Sequence, residues 1–353
     1  MKKTLVIIMG ILVILLALYF YNKISLENTI SIKNSLINLE IEKERINQEQ
    51  KAKIKKRQAD LEKKEQSEKI YTIVAGGDLM FDRGVEKKLK SLGQNYSFPL
   101  EKIALYLHSA DYVFANLEGP LSDVGKDQGG KYSFRFEPVV AKALSDSGID
   151  IVSIANNHML DWGREALCAT PKHLSDVSIK SVGAGCNREE AERVEYLDFG
   201  GTRIAFLAYT EFHTWAKAGA NTPGMSEWDI PKITKRIKDI KNDNLADLVF
   251  LSVHWGEEYK DRAPARIVKM GHEFVDAGAD IIIGHHPHVD QEIEHYGNGW
   301  IIYSLGNFVF DQSWSENTMQ GLLAEIKVQN KRVLGVIPKF IQLNSNYQPE
   351  LVL

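Results

Sequence analysis

The sequence predicts a layered α/β domain that follows an N-terminal transmembrane helix and a charged helical stalk. Three observations lead to this prediction. An uninterrupted apolar run lies near the N-terminus, and a charged segment without proline or glycine follows it. Beyond them, short apolar strands alternate with helical stretches, a pattern typical of α/β folds. The three segments are predicted at residues 1–23, 24–69 and 70–353.

The apolar run follows Lys2 and Lys3 and contains 18 uncharged residues from Thr4 to Tyr21. As a helix this run is about 27 Å long, just enough to span a thin bilayer. The two lysines favour a cytoplasmic N-terminus, which would place the C-terminal domain outside the cytoplasm. A cleaved signal peptide is the alternative. Since no small-x-small cleavage site follows the run, we expect an uncleaved single-pass anchor in the cell membrane.

Residues 24–69 are rich in Lys, Glu, Gln and Ile, a composition that favours helix. Ile32, Leu36 and Leu39 begin a heptad pattern, but Lys43 and Gln50 interrupt it. We therefore expect a single solvated helix rather than a stable coiled coil. Its role would be to hold the following domain away from the membrane.

The predicted domain is acidic, although the net charge of the whole chain is only −4. Residues 70–353 hold 29 basic and 38 acidic residues, whereas residues 24–69 hold 11 basic and 9 acidic ones. A domain this acidic repels phosphate backbones, so the composition argues against a nucleic-acid-binding protein. Bound divalent cations would reverse the local field, and anionic substrates are therefore not excluded.

The two cysteines, Cys168 and Cys186, are too few and too widely spaced for a zinc knuckle or a disulfide framework. A single bridge between them is conceivable outside a cell. Two buried thiols are the simpler interpretation, and we expect them.

Seven strands and three helices are predicted in the α/β part. Several strands are continuously apolar, which is typical of strands buried on both faces. Residues 322–353 are predicted to form antiparallel strands. The predicted strands are 71–75, 112–115, 149–154, 204–209, 248–253, 281–283 and 301–304, and the predicted helices are 139–147, 230–241 and 265–277.

Nearly every predicted strand is followed by residues of the types that bind metal ions. In open α/β sheets the loops at the carboxyl ends of the strands converge on one crevice, so these clusters indicate a single shared site. Taken alone, Asp78 would be a turn or helix N-cap residue and His254 a satisfied buried histidine. The clusters lie at residues 76–78, 116–118, 156–158, 254–257, 285–288 and 306–307.

The ligand types in these clusters are carboxylate, amide and imidazole, without thiolate. This mixture suits Mn, Fe or Zn better than a soft metal. A centre of two divalent ions clamps a phosphoryl or acyl oxygen and generates hydroxide at neutral pH. We therefore expect two divalent metal ions in the domain.

Six sequence blocks, in this order, resemble the CapA family of poly-γ-glutamate capsule proteins. The resemblance covers roughly residues 70–315. That family is similar to the calcineurin-like metallophosphoesterases, so the resemblance implies a sandwich of two β-sheets flanked by helices. The blocks are Gly77-Asp78-Leu79-Met80, Asn116-Leu117-Glu118, Asn156-Asn157-His158 with Asp161 and Gly163, His254-Trp255-Gly256-Glu257, His286-Pro287-His288-Val289 and Tyr303-Ser304-Leu305-Gly306-Asn307-Phe308.

The resemblance also implies a role for each matching residue. Asp78 would be the metal carboxylate of the first motif, and Glu118, or less readily Asn116, would stand in place of the bridging aspartate. His158 would approach the substrate oxygen, with Asp161 in the same block. The remaining implied metal ligands are Asn157, His254, His286 and His288.

Two departures from the superfamily pattern bear on activity. The first motif lacks the histidine of Asp-x-His, and the glutamate Glu118 replaces the bridging aspartate. Competent phosphoester hydrolysis therefore does not follow from the fold. Arg83, close to the first motif, would neutralise an anionic substrate or form a surface salt bridge.

By resemblance, the chain would be a membrane-anchored protein of poly-γ-glutamate synthesis or export that works with other capsule-synthesis membrane proteins. The alternative is an active surface hydrolase of phosphoesters or of an amide-linked polymer, with His158 as general acid or base. A third hypothesis is a non-catalytic binding module whose metal only organises loops. The sequence contains no Gly-x-Ser-x-Gly, Walker or Gly-x-Gly-x-x-Gly motif that would favour another enzyme class.

Overall fold

The computed structural model describes residues 2–352, apart from the side chains of residues 62, 63 and 65–68. Met1 and Leu353, the outermost residues of the predicted segments, therefore lie outside the described residues. The chain divides into two units, with the boundary between Glu65 and Gln66. The three predicted segment boundaries remain a prediction.

A single helix, α1 (Lys2–Glu68), accounts for the first unit. The apolar side chains near its N-terminus, such as Leu12 and Leu15, are exposed in the chain. By length and composition this stretch is suited to crossing a membrane, with a mean hydropathy of 2.7. The helix continues through residues 24–68 without a break, as the composition predicts.

The second unit alternates strands and helices before ending in strands. Its helices are α2 (Arg83–Ser91), α3 (Glu101–Leu107), α4 (Val140–Asp146), α5 (Gly163–Ser175), α6 (Arg188–Ala191), α7 (Ile230–Asn242) and α8 (Ala265–Asp276). Its strands are β1 (Tyr71–Leu79), β2 (Tyr112–Leu117), β3 (Ile151–Ser153), β4 (Lys180–Val182), β5 (Ala184–Gly185), β6 (Glu195–Phe199), β7 (Thr202–Thr210), β8 (Gly224–Met225), β9 (Leu248–His254), β10 (Ile281–His285), β11 (Ile293–Tyr296), β12 (Gly299–Ile302), β13 (Asn307–Val309), β14 (Gln320–Gln329), β15 (Arg332–Leu343) and β16 (Pro349–Leu351).

The strands form two large sheets and one small one. The first sheet has the order β16-β15-β14-β1-β2-β3-β4, with β13 beside the end of β1. Strands β1 to β4 are parallel, and β14 pairs with β1 in antiparallel orientation. The second sheet has the order β11-β12-β10-β9-β7-β6, with a parallel centre and antiparallel edges. Strands β5 and β8 pair separately.

Three apolar cores show that the two sheets stack and that helices cover their outer faces. Successive strand residues point to opposite faces, so Ile73 joins Phe206 and Phe250 between the sheets, while Val74 packs toward the helices. The core outside the first sheet includes residues of α2 to α5. The core outside the second sheet includes Ile237 of α7 and Phe274 of α8. The predicted α/β class, two sheets flanked by helices, is therefore confirmed.

All seven predicted strands and all three predicted helices are present, with ends shifted by a few residues. The antiparallel strands predicted after residue 322 are also present. Strand β1 is longer than predicted and contains Asp78. The double glycine before Asp78 permits this, because a Cβ atom on Gly77 would lie 2.0 Å from the carbonyl oxygen of Gly306.

The expectation of two buried thiols is wrong. Cys168 of α5 and Cys186, which follows β5, form a disulfide with a Cα–Cα distance of 4.6 Å. Both residues are half-buried. The contact arises because α5 packs beside β5, a tertiary relation that spacing in the sequence does not reveal.

Candidate metal centre

The predicted site residues meet where the parallel strands of both sheets end. Asp78 of β1 lies opposite Asn116 of β2 in register, and Glu118 directly follows β2. In the second sheet, His254 and His285 are the last residues of β9 and β10 and lie opposite each other. Both sheets therefore present their polar residues to one crevice, as expected for the carboxyl ends of parallel strands.

Two carboxylates, Asp78 and Glu118, form the floor of the centre and are fully buried. The Asn116 amide donates hydrogen bonds to Asp78 Oδ1 at 2.8 Å and to Glu118 Oε2 at 3.4 Å. Asn156 donates in turn to Asn116 Oδ1 at 3.2 Å, which fixes the orientation of that amide. Two acidic groups are thus held side by side in a dry environment, where an unpaired charge is costly.

The two carboxyl groups have opposite pKa shifts. Burial acts to raise the pKa of Asp78, but its hydrogen bond and charge interaction with His285, helped by His288 and His254, outweigh burial and lower that pKa. Burial, followed by the charge of Asp78, raises the pKa of Glu118 well above its ordinary value. In the metal-free centre Asp78 is therefore ionised, and a divalent cation would displace a proton from Glu118.

Three histidines of the second sheet, His254, His286 and His288, are buried over these carboxylates. Burial and then the charge of His286 lower the pKa of His254 well below its ordinary value, and burial lowers the pKa of His286 to about 3. Burial also lowers the pKa of His288. All three rings are therefore neutral at pH 7, which is the form that binds metals.

The ring orientation of His288 is set by Asn307. Asn307 Nδ2 donates to Gln312 Oε1 and to the carbonyl oxygen of Thr318, so its Oδ1 atom is the acceptor toward His288 Nδ1 at 3.0 Å. The proton of His288 then sits on Nδ1. This leaves Nε2 free, 3.6 Å from Glu118 Oε1. A fixed second hydrogen bond of this kind is typical of metal-ligating histidines.

The turn that carries His286 and His288 has an unusual backbone. Both residues have positive φ angles, 99° and 59° respectively. Such angles are uncommon for residues other than glycine, and conformational strain of this kind concentrates at functional sites. The turn lies against Asp78, because the backbone N–H of His286 donates a hydrogen bond to Asp78 Oδ2 at 3.3 Å and His288 Nδ1 lies 3.5 Å from the same oxygen.

His158 and Asp161 form a hydrogen-bonded pair at the edge of the centre. His158 Nδ1 lies 2.7 Å from Asp161 Oδ2, which also accepts the Phe134 N–H at 2.8 Å. The ring of Phe134 stacks on the imidazole with 4.0 Å between centroids. His158 Nε2 is thereby directed toward Glu118 Oε1, 3.8 Å away. Asp161 therefore contacts one ring nitrogen of His158, and Phe134 covers one face of the ring.

A cavity of about 510 Å³ opens beside this pair. Its volume is in the range of sites that bind small molecules. Among its lining residues are Tyr132, His158, Asp161, Arg164, His213 and Trp215. The centre is therefore reachable by a ligand from the His158 side.

The residues present fit a metal centre. Two buried polar atoms of the cluster have no hydrogen-bond partner among the described residues, namely Glu118 Oε1 and His286 Nδ1. Buried polar atoms are rarely left unpaired, so their convergence indicates ligand positions for a cation. Two groups of possible ligand atoms each lie within 4.8 Å of one another: Asp78, Glu118 and His254, and Glu258, His286 and His288.

Most predicted site residues are brought together. Asp78, Asn116, Glu118, Asn157, His158, Asp161, His254, His286 and His288 form one contiguous cluster, in which Asn157 Oδ1 lies 2.7 Å from His254 Nε2. The individual roles assigned to these residues remain predictions. Arg83 is the outlier, because it forms an ion pair with Asp311 and its guanidinium lies 4.9 Å from the ring centre of Phe134. Its proposed contact with a substrate remains a prediction.

Sequence reasoning did not assign four residues that the structure places in or against the cluster. His285 lies 3.3 Å from Asp78 Oδ1, and Asn156 and Asn307 orient Asn116 and His288. Glu258 lies beside His286 and His288. The strand-end signal extends to His285, Asn156 and Asn307, which fall in the predicted clusters. Glu258 carries no such signal, since it resembles any exposed loop acid.

Comparison with known proteins gives consistent matches. A family model described as "Bacterial capsule synthesis protein PGA_cap" matches residues 72–312. The chain is 36% identical over 294 residues to "Capsule biosynthesis protein CapA" of Bacillus anthracis, covering 80% of this chain and 70% of that protein. It is 32% identical over 261 residues to "PGA biosynthesis protein CapA" of Bacillus subtilis (strain 168), covering 73% and 68%.

Among solved structures, the 5'-nucleotidase precursor from Thermus thermophilus overlaps with this chain at a TM-score of 0.48 and 12% identity. The overlap covers 80% of this chain and 56% of the nucleotidase.

Proposed function

This chain belongs to the bacterial capsule synthesis protein family, and we propose that it takes part in poly-γ-glutamate capsule biosynthesis through a divalent-metal centre held outside the membrane. The names of the two Bacillus relatives support the capsule role. The unpaired, buried ligand atoms of the centre support the metal and are the observation on which the proposal chiefly rests. Mn, Fe or Zn suit the ligand types present.

In this proposal each part of the cluster has a distinct task. A bound divalent ion would polarise an oxygen of the substrate and lower the pKa of a bound water. Asp78 and Glu118 would supply carboxylate ligands from the first sheet, and Asn157, His254, His286 and His288 would complete the ligand sets of two ions. His158, fixed by Asp161, would exchange a proton with the substrate oxygen.

The proposal includes the organisation of the chain. Residues 1–23 would anchor it in the cell membrane, residues 24–69 would form the stalk, and residues 70–353 would be the extracytoplasmic domain. The apolar stretch of α1 supports the anchor. The disulfide between Cys168 and Cys186 supports an oxidising compartment, because disulfides are rare in the cytosol. Other capsule-synthesis membrane proteins and the anionic polymer are the proposed partners.

A surface hydrolase of phosphoesters or of an amide-linked polymer is the second candidate. One observation favours it: His158 is held by Asp161 and Phe134 at the mouth of a cavity beside the metal ligands. This arrangement is that of a general acid or base next to a bound substrate.

The first test is elemental analysis of the full chain purified in detergent, together with its Asp78→Ala and His286→Ala variants. We expect bound divalent metal in the wild type and a loss of metal in both variants, with the native tryptophan fluorescence retained. Unchanged metal content in both variants would mean that the cluster is a hydrogen-bonded polar core rather than a metal centre.

The second test asks whether the metal serves the capsule role. The same variants are expressed in a capsule-producing host that lacks its own family member, and the secreted poly-γ-glutamate is measured. We expect the wild type to restore the polymer and the variants to fail. Restoration by a metal-free variant would contradict the proposed use of the metal. Hydrolysis of an aryl phosphodiester with added Mn²⁺, lost in His158→Ala, would favour the hydrolase.

A further inference from the structure

We propose that Glu258 is a metal ligand and that it forms, with His286 and His288, the outer of two cation sites. This inference rests on the proposed metal centre and adds a residue to it. Neither the strand-end pattern nor the implied family roles include Glu258. The inner site would be the fully buried group of Asp78, Glu118 and His254.

The spacing of the outer group matches one ion. One ligand atom from each of Glu258, His286 and His288 lies within 4.8 Å of the others. At metal–ligand distances of about 2.0–2.2 Å, two ligands of one ion lie up to about 4.4 Å apart. A small side-chain rotation therefore brings the three atoms to a common centre. His286 Nδ1, which is buried and has no partner among the described residues, is available for this.

The backbone around Glu258 is fixed although its side chain is exposed. The N–H of Trp255 donates to the carbonyl oxygen of His285 at 3.1 Å, and the N–H of Tyr259 donates to that of Pro287 at 2.8 Å. These two bonds tie the segment after β9 to the turn that carries the histidines. The fold therefore holds the backbone of Glu258 next to His286 and His288.

Glu211 and Arg266 also hold this segment in place. The N–H of Gly256 donates to Glu211 Oε1 at 2.7 Å, and Arg266 forms two hydrogen bonds with the Glu211 carboxylate. Bidentate pairs of this kind are geometrically specific. The position of Glu258 is therefore a property of the fold.

The outer site needs an anionic ligand that β1 does not supply. Met80, two residues after Asp78, accepts a hydrogen bond at its sulfur from the N–H of Asp82 at 3.0 Å. Within strand β1 the single acidic residue is Asp78, and it belongs to the inner group. Two neutral imidazoles alone leave the charge of a divalent ion uncompensated, and Glu258 supplies a negative charge at the solvent-facing side. An ion held there would be in contact with solvent and would exchange more readily than the buried one.

The test compares Glu258→Gln with Glu292→Gln, an exposed acid outside the predicted clusters, in the full chain purified in detergent. Each protein is loaded with Mn²⁺, its metal content is measured, and its Mn²⁺ electron paramagnetic resonance spectrum is recorded. We expect two equivalents in the wild type and in Glu292→Gln. Glu258→Gln should retain one equivalent, bind the second at least tenfold more weakly, and lose the spectrum of a coupled pair. Tryptophan fluorescence confirms that each variant is folded.

Two equivalents of unchanged affinity in Glu258→Gln would overturn this inference and leave the proposed metal centre intact. A single equivalent in the wild type that Glu258→Gln does not alter would also overturn it. Failure of the wild type to bind Mn²⁺ would overturn both this inference and the proposed function.

Discussion

Replacing Glu118 by glutamine should stabilise the metal-free protein and remove the stabilisation that metal provides. Glu118 is fully buried, its Oε1 atom has no hydrogen-bond partner among the described residues, and Asp78 lies beside it. A group whose pKa is raised in the folded state stabilises the fold fully below its unfolded pKa of about 4.5 and loses that contribution as the pH rises. At pH 7.5 the wild type therefore bears the cost of an unsatisfied acid, about 1–3 kcal/mol, and the glutamine variant does not.

Added metal should stabilise the wild type but not the variant. A ligand present at 100 times its Kd stabilises the folded state by about 2.7 kcal/mol. For a domain of this size that corresponds to a rise in Tm of about 5 °C. We expect this rise in the wild type and less than about 1 °C in Glu118→Gln, because a neutral amide is a much weaker ligand than a carboxylate. The metal-free variant should melt about 2–6 °C above the metal-free wild type.

Thermal unfolding of the full chain in detergent, followed by tryptophan fluorescence, measures both effects. All six tryptophans lie at residue 162 or beyond, so the signal comes from the globular unit and not from α1. Glu292→Gln, which removes an exposed acid, is the control and should melt and bind as the wild type does. Equal metal stabilisation of Glu118→Gln and the wild type would refute the assignment of Glu118 as a ligand. A metal-free variant less stable than the wild type would refute the electrostatic reasoning.

Three further predictions concern the surroundings of the centre. If the chain is a hydrolase, Asp161→Asn should lower turnover of an aryl phosphodiester about 10²- to 10⁴-fold without loss of metal. The reason is that His158 loses the carboxylate that fixes its proton. Unchanged turnover would exclude the His158–Asp161 pair from catalysis. Gly284→Ala should cost about 3 kcal/mol of unfolding free energy, because its Cβ would lie 1.9 Å from the carbonyl oxygen of Tyr303. Gly335→Ala, whose Cβ would meet no atom within 4 Å apart from its chain neighbours, should change that free energy by less than about 0.5 kcal/mol. Similar melting of the two variants would contradict this prediction. Replacing both Cys168 and Cys186 by serine should lower the unfolding free energy by about 3 kcal/mol, the loop-closure value for a separation of 18 residues, and lower Tm by about 6 °C. An unchanged Tm would show that other contacts constrain the loop.

The strand-end rule accounts for most of what the sequence predicts about the centre. Asp78 and Asn116 are the penultimate residues of β1 and β2, and His254 is the last residue of β9. Buried parallel strands of this kind have a strong and simple sequence pattern. Once those strands are recognised, the direction of each one determines where its last residues lie. The fold class and the cluster are therefore both predictable from local pattern.

The features that were missed depend on tertiary contacts. Strand β6 is a half-buried edge strand whose residues Glu195 and Asp198 give it no apolar run. The disulfide depends on the packing of α5 beside β5, and the position of Glu258 depends on hydrogen bonds between two loops. The ion pair between Arg83 and Asp311 joins residues 228 positions apart, a separation at which sequence offers no register.

Because the ligands of the centre come from two sheets, the metal can bind only where the globular unit has folded. The carboxylates of Asp78 and Glu118 come from the first sheet, and the imidazoles of His254, His286 and His288 come from the second. Strand β1 also pairs with β14, which lies near the C-terminus. The full ligand set can therefore assemble only after almost the whole polypeptide has been delivered. Under the proposed topology that delivery ends beyond the membrane, so the ion would be acquired from the surroundings of the cell rather than from the cytosolic metal pool. Because availability often decides which divalent metal occupies a site, the growth medium would help to determine whether Mn, Fe or Zn is bound.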